Sequence, residues 1–213
     1  MTTGNSHKEK LKGLYAITDQ QLITEENFHA SVEATLQGGT RIIQYRDKSD
    51  KQNKRLQQAG LLRALCHQYH AICIINDDIE LARAVNAHGV HLGKDDLSLT
   101  VARQILGENA IIGVSCYNDL DKAIAAENNK ADYVAFGAIF SSTTKPEANV
   151  AGLDIITKAK QQLSIPVCTI GGITQENIRQ VIQQGADMAA VISGIFSADD
   201  IKQSTTALSQ FFN

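Results

Sequence analysis

A chain of 213 residues, 43% hydrophobic and 20% charged, is long enough to bury one sizeable core. One domain over 1–213 is expected, since α/β barrels run past roughly 200 residues as single units. A formal net charge of −3 gives no global field for nucleic acid or an anionic membrane, so neither is expected as a partner and an anionic ligand needs a locally basic site. No apolar stretch reaches the ~20 residues of a membrane span. Residues 1–12 are polar, lack the apolar centre of a signal sequence and read as a flexible N-terminal segment. The cysteines Cys66, Cys73, Cys116 and Cys168 are scattered without a C-x-x-C pair and read as buried free thiols in a reducing, cytoplasmic setting.

In chain order, Val- and Ile-rich runs bounded by Gly, Asp or Asn predict strands over 13–19, 41–47, 72–77, 89–93, 110–116, 133–140, 166–172 and 188–196. Between them the period changes to that of a helix, as in Leu120, Ala123, Ile124 and in Ile178, Val181, Ile182. Thr24, Ser98, Asp119, Thr174 and Ser197 stand where helix N-caps belong, and Gly38, Gly107 and Gly185 where a left-handed residue would end a helix. Regular alternation predicts parallel strands with right-handed crossovers. Eight such units fit a single (β/α)8 TIM barrel better than an open doubly wound sheet, because no G-x-G-x-x-G follows the first strand.

In such a barrel the chemistry collects at the C-terminal strand ends. There the sequence places Gln44-Tyr45-Arg46-Asp47-Lys48, Asn76-Asp77-Asp78, Gly93-Lys94-Asp95-Asp96, Ser115, Ser142-Thr143-Thr144-Lys145, Gly171-Gly172 and Ser193-Gly194. One carboxylate from each of the two acidic pairs, on strands ~5 Å apart, can share a cation. An all-oxygen set of this kind suits Mg²⁺. The same aspartates can instead cap the helices that follow. Arg46 and Lys48 alternate, so both can point one way and offer a guanidinium fork and a point charge to phosphate oxygens. The glycine ends of the last two strands suit a phosphate held by backbone N–H groups. His67 and His70 read as a solvated helix face, His91 as a hydrogen-bonded interior histidine, and Cys116 carries no sign of a nucleophile.

Together these strings resemble the thiamine-phosphate synthase family. They include Val90-His91-Leu92-Gly93, Gly113-Val114-Ser115, Ile170-Gly171-Gly172-Ile173 and Ile192-Ser193-Gly194, and they run from about the first strand to the last. The resemblance implies a transferase that joins hydroxymethylpyrimidine diphosphate to hydroxyethylthiazole phosphate, releasing diphosphate. It implies that Gln44, Tyr45, Arg46, Asp47, Lys48, Asn76, Ser115 and Lys145 hold the pyrimidine diphosphate. Ser142, Thr143, Thr144, Gly172, Ile192 and Ser193 would hold the thiazole phosphate. Asp77 and Asp96 would bind Mg²⁺, and Arg46, Lys48, Lys145 and Ser115 would act on the reacting groups. Lys94 and Ser141 depart from the residues common at those positions. A related thiazole tautomerase on the same barrel is the alternative; it generally lacks the acidic pair and carries a histidine near the fifth strand, where Tyr117 stands here. The partners expected are small-molecule substrates, and a homo-oligomer is compatible with the sequence.

Overall fold

The strands are β1 (Gly13–Ile17), β2 (Ile42–Tyr45), β3 (Ile72–Asn76), β4 (Gly89–Leu92), β5 (Ile111–Tyr117), β6 (Tyr133–Phe136), β7 (Val167–Ile170) and β8 (Met188–Val191). Each is followed by a helix: α1 (Phe28–Gln37), α2 (Gln52–Gln68), α3 (Ile79–Ala84), α4 (Leu99–Leu106), α5 (Leu120–Asn128), α6 (Asp154–Gln162), α7 (Ile178–Gln183) and the short α8 (Ser193–Phe196). A further helix, α9 (Ile201–Ser209), runs into a 3-10 turn at Gln210–Phe212. The computed structural model describes residues 11–93, 98–141 and 151–212. All strands are parallel and pair in chain order, and β8 returns to β1, closing the barrel. The predicted (β/α)8 architecture is the one observed.

Side chains alternate across each strand, and closure turns that alternation into two separate cores. Tyr15, Ile17, Ile42, Ile72, Ile74, Ile111, Tyr133, Cys168 and Met188 fill the barrel interior. Their neighbours Leu14, Ala16, Ile43, Cys73, Ile75, Val90, Val134 and Val167 face outward and meet the helices. Strands apolar on both faces read as continuous hydrophobic runs, which is why they are visible in the sequence. All four cysteines are buried and free, and burial pushes the Cys116 thiol up to about 12, so it stays protonated at neutral pH.

A repeated device seals the N-terminal end of the barrel. The residue just before β4, β6 and β8 accepts from a backbone N–H near the start of the strand before it. His88 Nδ1 takes the N–H of Cys73 at 2.9 Å, Asp132 that of Ile112 at 2.8 Å, and Asp187 that of Val167 at 2.7 Å. Arg103 neutralises Asp132 at 2.7 Å and Lys160 neutralises Asp187 at 2.8 Å. The repeats Ala131-Asp132 and Ala186-Asp187, each opening a strand, are the trace of this device in the sequence.

Several predicted boundaries move. The last strand ends at Val191, and the stretch expected to continue it turns into α8. The sixth ends at Phe136 rather than 140. Ser98 and Asp119 do cap α4 and α5, whereas Asp200, not Ser197, caps α9 and Asn27 rather than Thr24 precedes α1. Asn177, not Thr174, is the residue before α7. Gly38 is not left-handed; the left-handed residue is Gly39, with φ +98°. Gly38 serves close packing, because a Cβ there would lie 2.5 Å from Cβ of Thr205 on α9.

Candidate active site

The end of β2 is held by the loop after β1. Thr18 Oγ1 accepts from the Arg46 N–H at 2.9 Å, and the Gln20 side chain accepts from the Lys48 N–H. The Arg46 guanidinium lies 3.5 Å from the Asp19 carboxylate, and Lys48 Nζ lies 3.1 Å from Asp77 on β3's C-terminal side. Arg46, Lys48 and Asp77 thus gather at one mouth. Thr18, Asp19 and Gln20 were not singled out in the sequence, where the first two read as the end of the first strand; that strand ends at Ile17.

Tyr45 and Asp47 turn the other way, as period-two alternation requires. Tyr45 packs edge-on against Phe28 and donates to Gln58 at 3.0 Å. Asp47 meets Lys54 at 2.8 Å and accepts from the Ser49 N–H at 2.8 Å. Burial alone would raise the Asp47 carboxyl, but the hydrogen bonds from Lys54 and Ser49 outweigh it and hold the group below the usual range. The structure places these two residues in the strand–helix layer bracing β2.

The adjacent aspartates part company. Asp78 adopts extended backbone, caps α3 by accepting from the Leu81 N–H at 2.8 Å, and binds Arg55 at 2.6 Å. Asp77 has φ +63°, a left-handed conformation that aspartate tolerates better than most residues. Its backbone N–H donates to the His91 carbonyl at 2.9 Å, and its carboxylate meets Lys48. Helix capping thus falls on Asp78, while the Asp77 carboxylate is left facing Lys48 at the mouth. Asn76 sits beside them at the end of β3, opposite His91 on β4.

Below the mouth a polar chain crosses the barrel interior. Gln44 Nε2 donates to the Tyr15 hydroxyl at 2.7 Å, which lies 3.0 Å from the Tyr133 hydroxyl. The Tyr133 hydroxyl lies 2.9 Å from His91 Nδ1, and His91 Nε2 lies 2.8 Å from Ser115 Oγ. Gly113 makes room for it: a Cβ there would fall 2.0 Å from Tyr133 Cζ. The expected interior histidine is therefore found, whereas the two tyrosines were not singled out. Their signal was a polar-tipped ring at an inward position of an apolar strand.

Burial lowers the His91 ring to about 4, with the Asp77 carboxylate raising it only in part. The ring is neutral at physiological pH. An unfolded imidazole titrates near 6.5, so between that value and about pH 4 the unfolded chain binds more protons. Stability is fully present above the higher value and is lost as pH falls toward the lower one, by about 3 kcal/mol in all. Melting temperature measured from pH 8 to pH 4 should fall with this dependence in the wild type. The slope should shrink in His91→Gln.

At the end of β7, Gly171 and Gly172 have φ +102° and +63°. A Cβ on Gly172 would lie 2.5 Å from the Ser141 carbonyl oxygen. Asn177 holds this loop, donating to the Gly172 carbonyl and accepting from the Thr174 N–H, both at 2.8 Å. Ile192 and Ser193 open α8, and the Ser204 hydroxyl donates to the Gly194 carbonyl at 2.6 Å. Gly172→Ala combines left-handed strain with a backbone clash and should cost roughly 2–4 kcal/mol, read by chemical denaturation. Lys94, Asp95, Asp96, Ser142, Thr143, Thr144 and Lys145 lie outside the described residues.

A closed parallel barrel with cations, a carboxylate and glycine-rich ends at its C-terminal face defines a (β/α)8 enzyme whose site suits an anionic substrate. The chain belongs to the thiamine monophosphate synthase family, whose model matches residues 14–195. It is 52% identical to a thiamine-phosphate synthase from Nitrosococcus oceani, over 95% of this chain and 93% of that one. It is 50% identical to the thiamine-phosphate synthase of Thioalkalivibrio sulfidiphilus, over 96% and 97%. Among solved structures, the thiamine phosphate pyrophosphorylase from Pyrococcus furiosus superposes with a TM-score of 0.88 at 37% identity, covering 97% of this chain and 98% of that one. The protein is accordingly a transferase. Among the described residues no helix is long and apolar enough to cross a membrane.

Proposed function

We propose that the protein condenses hydroxymethylpyrimidine diphosphate with hydroxyethylthiazole phosphate, giving thiamine phosphate and diphosphate with the help of Mg²⁺ in the cytoplasm. The observation that carries this reading is the meeting of Lys48 and Asp77 at 3.1 Å beside Arg46, while Asp78 is taken up by capping. The thiazole nitrogen has a lone pair and no proton to lose, so attack needs no general base. The aminopyrimidine can feed electrons to its methylene carbon as the C–O bond breaks. The demanding step is departure of the diphosphate. Arg46 and Lys48, with Lys145, would hold its charge in a site arranged beforehand, and the glycine ends of β7 and β8 would keep the thiazole phosphate in line.

The residues present fit Mg²⁺. Asp77 presents a part-exposed carboxylate at the mouth, and Asp96 would be its partner. Few protein oxygens are needed, because Mg²⁺ keeps waters and takes substrate phosphates as ligands. When bound, it would add positive charge where the leaving diphosphate gathers electrons. Lys48 would then exchange its contact with Asp77 for one with the diphosphate. Incubation of purified protein with both substrates should release diphosphate and thiamine phosphate in equal amounts. Chelation should stop both and added Mg²⁺ restore them; failure to form product with Mg²⁺ present would refute the assignment.

A further inference from the structure

The chain Gln44–Tyr15–Tyr133–His91–Ser115 has an internal polarity that follows from its members. Tyr15 and Tyr133 are fully buried, and Gln44 and His91 are 2% and 8% exposed. Each buried hydroxyl proton needs an acceptor, because leaving it unmade is costly. Gln44 Nε2 donates to the Tyr15 oxygen, so the Tyr15 proton passes to Tyr133, its other hydroxyl partner. The Tyr133 proton then passes to His91 Nδ1. A neutral imidazole with an accepting Nδ1 carries its proton on Nε2 and donates to Ser115 Oγ. Ser115 keeps its own proton to donate elsewhere, and Gln44 keeps Oε1 as an acceptor.

We propose that Tyr15, Tyr133 and His91 are positioning residues that lock the Ser115 hydroxyl as a donor and the Gln44 side chain as an acceptor, so that together they select a heteroaromatic ring bearing an amino group and a ring nitrogen. The ligand half of this proposal rests on the pyrimidine-diphosphate reading above; the polarity of the chain does not. A ring whose amino N–H meets Gln44 Oε1 and whose nitrogen receives the Ser115 proton satisfies both ends. An oxo ring with the reverse pattern leaves both unpaired, and such mismatches are heavily discriminated against. The chain also ties residues on β1, β2, β4, β5 and β6 into one unit, so the state of one end is set by the other.

The test reads the His91 tautomer directly, by long-range proton–nitrogen correlation on the full-length protein labelled in histidine and assigned with His91→Gln. The wild type should show a protonated Nε2 and an accepting Nδ1. Gln44→Glu, once its carboxylate is ionised, can only accept from Tyr15, so the whole chain should reverse and the proton move to Nδ1. Tyr133→Phe should abolish that response to position 44. It should also raise KM for the pyrimidine diphosphate by about tenfold, with KM for the thiazole phosphate unchanged. A wild-type ring protonated on Nδ1 would overturn the proposal even if Gln44→Glu does not fold. So would a folded, ionised Gln44→Glu that leaves His91 unaltered. The tautomer is measured without substrate, so an inactive protein with the expected tautomer would refute the pyrimidine reading while leaving the polarity standing.

Discussion

Asp77→Asn should lower turnover by about 10²–10³-fold while leaving the melting temperature nearly unchanged. Asparagine is the informative replacement because the backbone there has φ +63°, a conformation asparagine shares and alanine resists. The change removes a charge facing Lys48 at the mouth, where it would hold Mg²⁺, and removes no helix cap. Asp78→Ala should give the opposite pattern. It deletes the cap of α3 and the partner of Arg55, which should lower the melting temperature by roughly 2–8 °C. Turnover of the folded fraction should change little by comparison. Steady-state kinetics beside thermal unfolding separates the two. Equal losses of turnover in both variants would show that the mouth does not discriminate between the neighbours.

The second large effect concerns stability at the opposite end of the barrel. Asp132 has a side chain 1% exposed, paired with Arg103 at 2.7 Å and accepting from the Ile112 N–H. Arg103 is further held by the carbonyls of Gly107, Glu108 and Ala110. Removing one member of a buried pair strands the other in a poorly solvated site, at a cost of about 3–5 kcal/mol. Asp132→Ala should therefore unfold roughly 6–20 °C below the wild type. Far from the mouth, it should leave kcat of the folded protein intact. A loss of activity without a loss of stability would mean that this end communicates with the site.

The two halves of the molecule were unequally legible. Strand runs such as Ile72–Asn76 stood out because both of their faces are buried, and Ser98 and Asp119 marked helix starts because a side-chain oxygen there meets an orphan N–H. The end of β8 was misjudged because Ile192 and Ile195 suit a buried strand and a buried helical turn equally well. Tyr45 and Asp47, which the family resemblance groups with Arg46 and Lys48, turn to the outward layer, where they meet Phe28, Gln58 and Lys54, because side chains alternate along a strand.

By itself the sequence determined the repeating βα unit, the barrel it closes into, and the polar residues gathered at the strand ends, because these are local consequences of period, propensity and turn chemistry. Only the tertiary structure decided which neighbour does what: Asp77 facing Lys48 and Asp78 capping α3, or two tyrosines joining Gln44 to Ser115. Those distinctions depend on contacts between residues far apart in the chain. A side chain's surroundings are fixed only when the barrel closes and brings them together.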